Sequence, residues 1–117
     1  MILITGGLGY LGGRIASQLV LLGLKVRIAT SRKNPKIPEV LSSCDIVYID
    51  FYDKTSLQGA CKKVTTILHL AGINANNSEK DPESAVLVNG LGTLKLLQAA
   101  EKEGVHKFLF FSTIHVY

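Results

Sequence analysis

Five of the ten residues in the stretch ITGGLGYLGG, from Ile4 to Gly13, are glycines. The apolar run MILIT leads into them, and a segment with apolar residues at helical spacing follows. Each glycine costs folding entropy, because a residue without a Cβ atom has the most backbone freedom to lose. The stretch therefore predicts a turn between a strand and a helix, with backbone shapes or close approaches that a side chain would forbid.

Short apolar runs alternate with helical segments along the whole chain. The predicted strands are MILIT, KVRIAT, DIVYID, TTILHLAG and KFLFFS. Parallel neighbours need crossover connections, so this alternation favours a parallel sheet with helices on both faces. We expect an α/β fold, a doubly wound parallel sheet with strand order 3-2-1-4-5, and a crevice at the carboxyl ends of strands one and four.

Three predicted helices lie between these strands. The first begins near Tyr10 and stops at Gly23, a common C-terminal residue, and KTSLQGACKK is a short second helix. The third opens at Asp81 and Pro82, since aspartate can cap free amides and proline fits the first turn, and it closes at Gly104. The apolar face expected for the first helix consists of Leu11, Ile15, Leu19 and Leu22.

The composition is that of one ordinary globular domain. The chain has 117 residues, 47% apolar and 19% charged, and no apolar run reaches the roughly 18 residues of a membrane span. MILIT lacks the basic leader of a signal peptide, so we expect a cytoplasmic protein. Cys44 and Cys61 are too isolated for a disulfide framework or a zinc site, and no metal is expected. The basic residues behind the net charge of +4 are scattered, which argues against a nucleic-acid partner.

A strand, a glycine turn and a helix in immediate succession build a phosphate site. Glycines let the backbone come close to a pyrophosphate, and the helix N-terminus presents free amides with a partial positive charge. The pattern Gly7-x-Gly9-x-x-Gly12 fits the dinucleotide fingerprint, and its strand and helix context agrees with that interpretation.

A second register, TGGLGYLG from Thr5 to Gly12, overlays the first. It resembles the extended short-chain dehydrogenase/reductase family, which includes NAD-dependent sugar-nucleotide epimerases and dehydratases. YIDFYD, LHLAG, DPESAVLVNGLGTLKLLQAA and FLFFSTIHVY also match that family in order. The resemblance implies that residues 1–117 are the NAD(P)-binding N-terminal part of a longer enzyme. That enzyme would act on a nucleotide sugar or a similar small molecule by hydride transfer.

The end of the second strand bears on the choice of cofactor. NAD enzymes of this fold usually place an acid there, about 20 residues past the glycines, to accept the ribose hydroxyls. Thr30 holds that position, and Ser31, Arg32 and Lys33 follow it. Because no carboxylate repels a 2′-phosphate and a guanidinium can bind it bidentately, we expect NADP in preference to NAD.

The resemblance assigns the remaining cofactor contacts to its motifs. Asp50 would meet the adenine, although it has the simpler alternative of capping a turn, and His69 is expected to be a hydrogen-bonded core histidine. The residues expected at the cofactor are Gly6, Gly9, Tyr10, Leu11, Gly12, Thr30, Ser31, Arg32, Asp50, Phe51, Leu70, Ala71, Gly72, Asn89 and Ser112.

The chemistry of the family is only partly contained in this sequence. Thr113 takes the position of the family's catalytic serine or threonine, but the chain ends at Tyr117, before the tyrosine and lysine that act as general acid and base. We therefore expect cofactor binding with little catalysis. A non-catalytic NADP-binding sensor and a protein-interaction module with a vestigial pocket stay open as alternatives.

In the fifth predicted strand, KFLFF, the run FLFF from Phe108 to Phe111 is apolar on both faces. An edge strand normally carries a charge, a proline or a bulge that prevents pairing with other chains, and this run has none. We expect the 117 residues either to self-associate through this edge, for instance as a homo-oligomer, or to be poorly soluble.

Overall fold

A computed structural model describes residues 1–71, 82–83 and 87–111. The strands are β1 (Ile2–Thr5), β2 (Val26–Thr30), β3 (Asp45–Tyr48), β4 (Thr66–His69) and β5 (Lys107–Phe110). The helices are α1 (Tyr10–Leu21), α2 (Lys54–Cys61) and α3 (Gly92–Lys102). A short 3-10 turn covers Glu39–Leu41, and a π-helical turn at Leu87–Leu91 leads directly into α3.

The strands form one parallel sheet in the order β3-β2-β1-β4-β5, which confirms the predicted topology. Thr5, at the end of β1, is paired with Ala29 of β2 on one side and with His69 of β4 on the other. The carboxyl ends of these strands therefore meet at one edge of the sheet, and the turns that follow them lie side by side.

Helices cover both faces of the sheet. Successive side chains of a strand point to opposite faces, so each strand contributes to both packed layers. On one face, Leu3 packs with Ile67 and with the inner sides of α2 and α3. On the other, Ile4 packs with Ile28 and with the inner side of α1. The doubly wound arrangement is thus confirmed.

The face that α1 turns to the sheet differs from the predicted one. Ile15 and Leu19 pack against the core as expected, but Leu11 is 51% exposed and Leu22 is 74% exposed. The buried residues of α1 are Gly12 and Ala16. Small residues let the helix axis approach the strands closely, so the larger apolar side chains flank the contact instead of filling it.

Glycines end two of the helices as predicted. Gly23 follows α1 with φ +80° and Gly104 follows α3 with φ +75°, the left-handed conformation that glycine adopts without strain. Pro82 and Glu83 are helical, whereas Asp81 lies outside the described residues.

β5 is one of the two edge strands of the described sheet, with β3 at the other edge. Leu109, Phe110 and Phe111 are 51%, 54% and 38% exposed there. The apolar edge expected from the sequence is therefore present, and association through it stays a prediction. No helix in the described ranges is long and apolar enough to cross a membrane.

Candidate functional site

A groove of about 570 Å³ opens where the first four strands end. Its walls come from the turns that follow β1, β2, β3 and β4. The residues that line it are Gly6, Leu8, Gly9, Ala29, Thr30, Ser31, Arg32, Tyr48, Ile49, Asp50, Phe51, Tyr52, Leu70 and Ala71.

The turn after β1 brings backbone to the floor of this groove. Gly6 has φ +72°, and a Cβ atom there would lie 2.9 Å from the Ala71 nitrogen and 3.0 Å from the Leu70 carbonyl carbon. The Gly6 carbonyl accepts the Gly9 N–H at 3.0 Å, which closes the turn. Glycine is therefore required at position 6 for both its conformation and its contact with the end of β4.

Two other glycines of the stretch serve packing instead. A Cβ at Gly12 would overlap the carbonyl oxygen of Gly6 and lie 2.8 Å from its carbonyl carbon. A Cβ at Gly7 would lie 2.9 Å from Cγ2 of Ile28 on β2. These positions let α1 and the turn sit tightly on the sheet, and neither residue lines the groove.

The N-terminus of α1 opens toward the groove at Gly9. Gly9 is the capping residue with φ −78° and ψ 177°, no side chain caps the helix, and its first turn contains no acidic residue. The first amides of a helix have no partner within the helix and carry a partial positive charge. This turn can therefore hold an anion such as a phosphate.

The groove wall formed by the turn after β2 carries the positive charge of Arg32. The Arg32 N–H donates to Oγ1 of Thr30 at 3.1 Å, which ties the turn down, while the side chains of Ser31 and Arg32 are exposed. Within the described ranges no carboxylate forms an ion pair with Arg32. Its guanidinium is thus available to a ligand in the groove.

The wall after β3 combines a carboxylate with aromatic rings. Asp50 Oδ1 accepts the Tyr52 N–H at 2.9 Å, and the Asp50 N–H donates to Oγ of Ser56 at 2.7 Å. Asp50 therefore caps a turn, as the simpler alternative expected, and it also lines the groove beside Phe51. Rings at this wall offer a flat apolar surface to a planar base.

Several groove residues were missed by sequence reasoning. Tyr48 and Tyr52 are 52% and 63% exposed at the β3 wall, and Leu8, Ala29 and Ile49 complete the lining. The tyrosines could have been found from YIDFYD, because they flank the Asp50–Phe51 pair on both sides.

Some predicted residues do not line the groove. Tyr10 is 81% exposed, and its hydroxyl accepts from the Arg14 guanidinium at 2.8 Å, outside the groove. Leu11 is exposed and Gly12 is buried against the turn, and neither lines the groove, so contacts of these three residues with a cofactor stay predictions. Asn89 lies in the π-helical turn, apart from the groove lining.

The positions expected at the reacting end of the site lie beyond what the structure describes. Gly72, Ser112 and Thr113 all fall outside the described residues, so their roles stay predictions.

His69 is the fully buried histidine at the end of β4. Its ring nitrogens lie 2.6 Å from Oγ1 of Thr5 and 2.9 Å from Oγ1 of Thr93. Burial lowers the pKa of its imidazole to about 4. The expectation of a hydrogen-bonded core histidine is confirmed.

The cysteines are both free, with Cys44 half-buried and Cys61 buried. Burial, with a further contribution from Glu103, raises the pKa of the Cys61 thiol to about 11, which makes it a poor nucleophile at neutral pH. Across the described ranges, no group of His, Cys, Asp and Glu is arranged to hold a metal ion.

The sequence is similar to enzymes that act on nucleotide sugars. The model of the NAD dependent epimerase/dehydratase family matches residues 2–117. UDP-glucose 4-epimerase of Haemophilus influenzae is 31% identical over 126 residues, which cover 99% of this chain and 37% of that protein. UDP-N-acetyl-alpha-D-glucosaminuronate decarboxylase of Bacillus cytotoxicus is 33% identical over 119 residues, with 98% and 37% covered. The chain thus spans about 37% of the length of these relatives.

Solved structures with the same fold include two epimerases with bound NAD. The Thermus thermophilus UDP-glucose 4-epimerase complex with NAD superposes with a TM-score of 0.84 at 31% identity, over 96% of this chain and 37% of that one. The Stenotrophomonas maltophila UDP-glucose 4-epimerase, with NAD and formylated UDP-arabinopyranose, superposes with a TM-score of 0.86 at 27% identity, over 99% and 38%.

Proposed function

The chain belongs to the NAD-dependent epimerase/dehydratase family, and we propose that it is the dinucleotide-binding part of a longer enzyme that acts on a nucleotide sugar by hydride transfer. The membership confirms the resemblance predicted from the glycine register. The observation that carries the proposal is the groove itself, in which the Gly6–Gly9 turn and the uncapped N-terminus of α1 face the ends of the neighbouring strands.

The groove residues fit the parts of a dinucleotide. The free amides at the start of α1 would hold the pyrophosphate beside the Gly6–Gly9 turn, which lines the groove. The Asp50–Phe51 wall would hold the adenine, and Leu70 with Ala71 would line the ribose side. When bound, the nicotinamide supplies a hydride donor and acceptor, and the protein supplies position and electrostatics.

The turn after β2 supports NADP as the preferred cofactor. Arg32 is exposed at the groove, and the turn contains no acid that would repel a 2′-phosphate. Charge-assisted bonds of a guanidinium contribute about 1.5–3 kcal/mol, so Arg32→Ala should weaken NADPH binding about tenfold or more. NADH affinity should change little.

A matched control for this test is Lys25→Ala, which removes the same charge just before β2, at the opposite end of that strand. It should leave both affinities unchanged. Equal binding of NADH and NADPH to the unaltered chain at low salt would contradict the preference for NADP.

Fluorescence titration with NADPH tests cofactor binding itself. A Cβ at Gly9 meets the Gly6 carbonyl oxygen at 3.3 Å and no other described atom within 4 Å, so Gly9→Val should keep the fold and abolish binding. Gly59→Ala in α2, where a Cβ meets no described atom within 4 Å, is the control and should bind normally. Retained binding by Gly9→Val, with unchanged circular dichroism, would refute the assignment.

A further inference from the structure

A continuous network of hydrogen bonds joins β1, β4, α3 and the π-helical turn next to the groove. His69 at the end of β4 lies between Thr5 at the end of β1 and Thr93 in the first turn of α3, at 2.6 Å and 2.9 Å. Oγ1 of Thr93 donates in turn to the carbonyl of Asn89, at 3.0 Å, in the π-helical turn. Thr5 directly precedes Gly6, and His69 directly precedes Leu70. The two backbone segments that form the groove floor are therefore both attached to this hydrogen-bond network.

The bonds made by Thr5 determine which ring nitrogen of His69 carries the proton. Oγ1 of Thr5 accepts the N–H of Ala71 at 3.1 Å, and it shares the N–H of Leu70, at 3.2 Å, with the Thr5 carbonyl oxygen. A hydroxyl carries one proton, and among the described residues Nδ1 of His69, at 2.6 Å, is the acceptor for the proton of Thr5. Nδ1 is therefore the acceptor, and the neutral ring carries its hydrogen on Nε2.

The remaining bonds then have a single direction. Nε2–H of His69 donates to Thr93, and the Thr93 hydroxyl donates to the Asn89 carbonyl. That last bond runs back four residues, from α3 to the π-helical turn that precedes it. In this arrangement both threonine hydroxyls and both ring nitrogens of His69 have hydrogen-bond partners.

Three aromatic rings surround the His69 imidazole and favour its neutral form. Phe51, Phe108 and Phe110 have ring centroids 6.1, 5.8 and 5.7 Å from that of His69. This apolar surround disfavours the charged ring. Phe51 also lines the groove. A displacement of the His69 ring would therefore move the groove wall at Phe51 as well as the groove floor.

We propose that His69 is a positioning residue, whose fixed Nε2–H tautomer holds the groove floor in register with the π-helical turn of Asn89 and thereby raises dinucleotide affinity. The proposal rests on the dinucleotide-binding function proposed above. Without the Thr93 acceptor, Nε2–H is buried and unpaired, and the ring gains by turning away from Thr5. The Thr5 hydroxyl is then no longer fixed as the acceptor for Leu70 and Ala71, although the Leu70 N–H keeps its bond to the Thr5 carbonyl. Affinity for the dinucleotide falls in proportion to the fraction of molecules that leave the binding-competent arrangement.

Paired substitutions at Thr93 test this role. Thr93→Val removes the hydroxyl and keeps the shape, whereas Thr93→Ser keeps the hydroxyl. We expect Thr93→Val to weaken NADPH binding about tenfold and Thr93→Ser to stay within about twofold of the unaltered chain. Thr66→Val, at the amino end of β4, is the control and should bind normally. If Thr93→Val does not fold, Thr93→Ala removes the same hydroxyl without placing a branched side chain in the helix.

Two measurements on the unliganded chain separate this proposal from the binding function. The ring ¹⁵N NMR spectrum should show His69 with a bare Nδ1 and a protonated Nε2. Hydrogen exchange of the Leu70 and Ala71 amides should speed up in Thr93→Val and not in Thr93→Ser. A protonated Nδ1, or unchanged exchange and unchanged NADPH affinity in a folded Thr93→Val, would overturn the proposal. Failure of the unaltered chain to bind either dinucleotide, with these NMR results as expected, would instead refute the proposed function.

Discussion

Acidification should destabilise this protein through His69. The folded-state pKa of about 4 lies below the usual 6.5, because burial disfavours the imidazolium. The unfolded chain therefore binds a proton that the folded chain does not, at any pH between these values. The stability that the neutral ring contributes is present above pH 6.5 and is lost as the pH falls towards 4.

The size of this effect follows from the two pKa values. At about 1.4 kcal/mol per pKa unit, the full loss is about 3 kcal/mol, and about 2 kcal/mol of it falls between pH 7 and pH 5. Against a total of roughly 5–15 kcal/mol for a typical domain, this loss is large enough to measure.

Urea unfolding at pH 7, 6 and 5 provides the assay. The free energy of unfolding of the unaltered chain, minus that of His69→Asn, should fall by about 2 kcal/mol from pH 7 to pH 5, since the variant lacks the titrating ring. His106→Gln, which removes an exposed histidine and leaves His69 in place, should keep the full loss. If His69→Asn does not fold, an NMR titration of the His69 ring gives its pKa directly. Equal pH dependence with and without His69, or a ring that becomes charged near pH 6.5, would refute the reasoning.

Three further predictions concern other parts of the chain. Gly12→Ala should cost about 1–3 kcal/mol of stability because its Cβ overlaps Gly6, whereas Gly59→Ala should be neutral or stabilising; equal urea midpoints would contradict this. In the complete protein, Thr113→Val should lower turnover and leave cofactor affinity unchanged, and a parallel loss of both would indicate a structural role instead. The 117-residue chain should self-associate in sedimentation experiments, less so with Leu109→Lys at the β5 edge; a stable monomer at high concentration would count against an open edge.

The strand order could be predicted because the strands are short apolar runs separated by helical segments, a pattern with few solutions. The face of α1 could not, since spacing favours the large residues Leu11 and Leu22 while the actual contact uses Gly12 and Ala16. Which small residue touches the sheet depends on how closely the axis approaches, and that distance is not a local property of the sequence.

The candidate site was predictable where one motif follows one strand. Gly6, Arg32 and Asp50 each lie one or two residues after the end of a strand, so their meeting at one sheet edge follows from the topology. The bond between His69 and Thr93 joins residues 24 positions apart, and it depends on the register of the π-helical turn. No spacing rule predicts that register, so the network could only be found in three dimensions.

Amide shift mapping by NMR, with NADPH added to the ¹⁵N-labelled chain, tests the central claim that a dinucleotide binds in the groove at the carboxyl ends of the strands. The shifts should saturate and cluster at Gly6, Gly9, Arg32 and Asp50. The amides of Lys25 and Asp45, near the starts of β2 and β3, should not move. Absence of saturable shifts with either NADPH or NADH, or shifts centred on Lys25 and Asp45, would contradict the account.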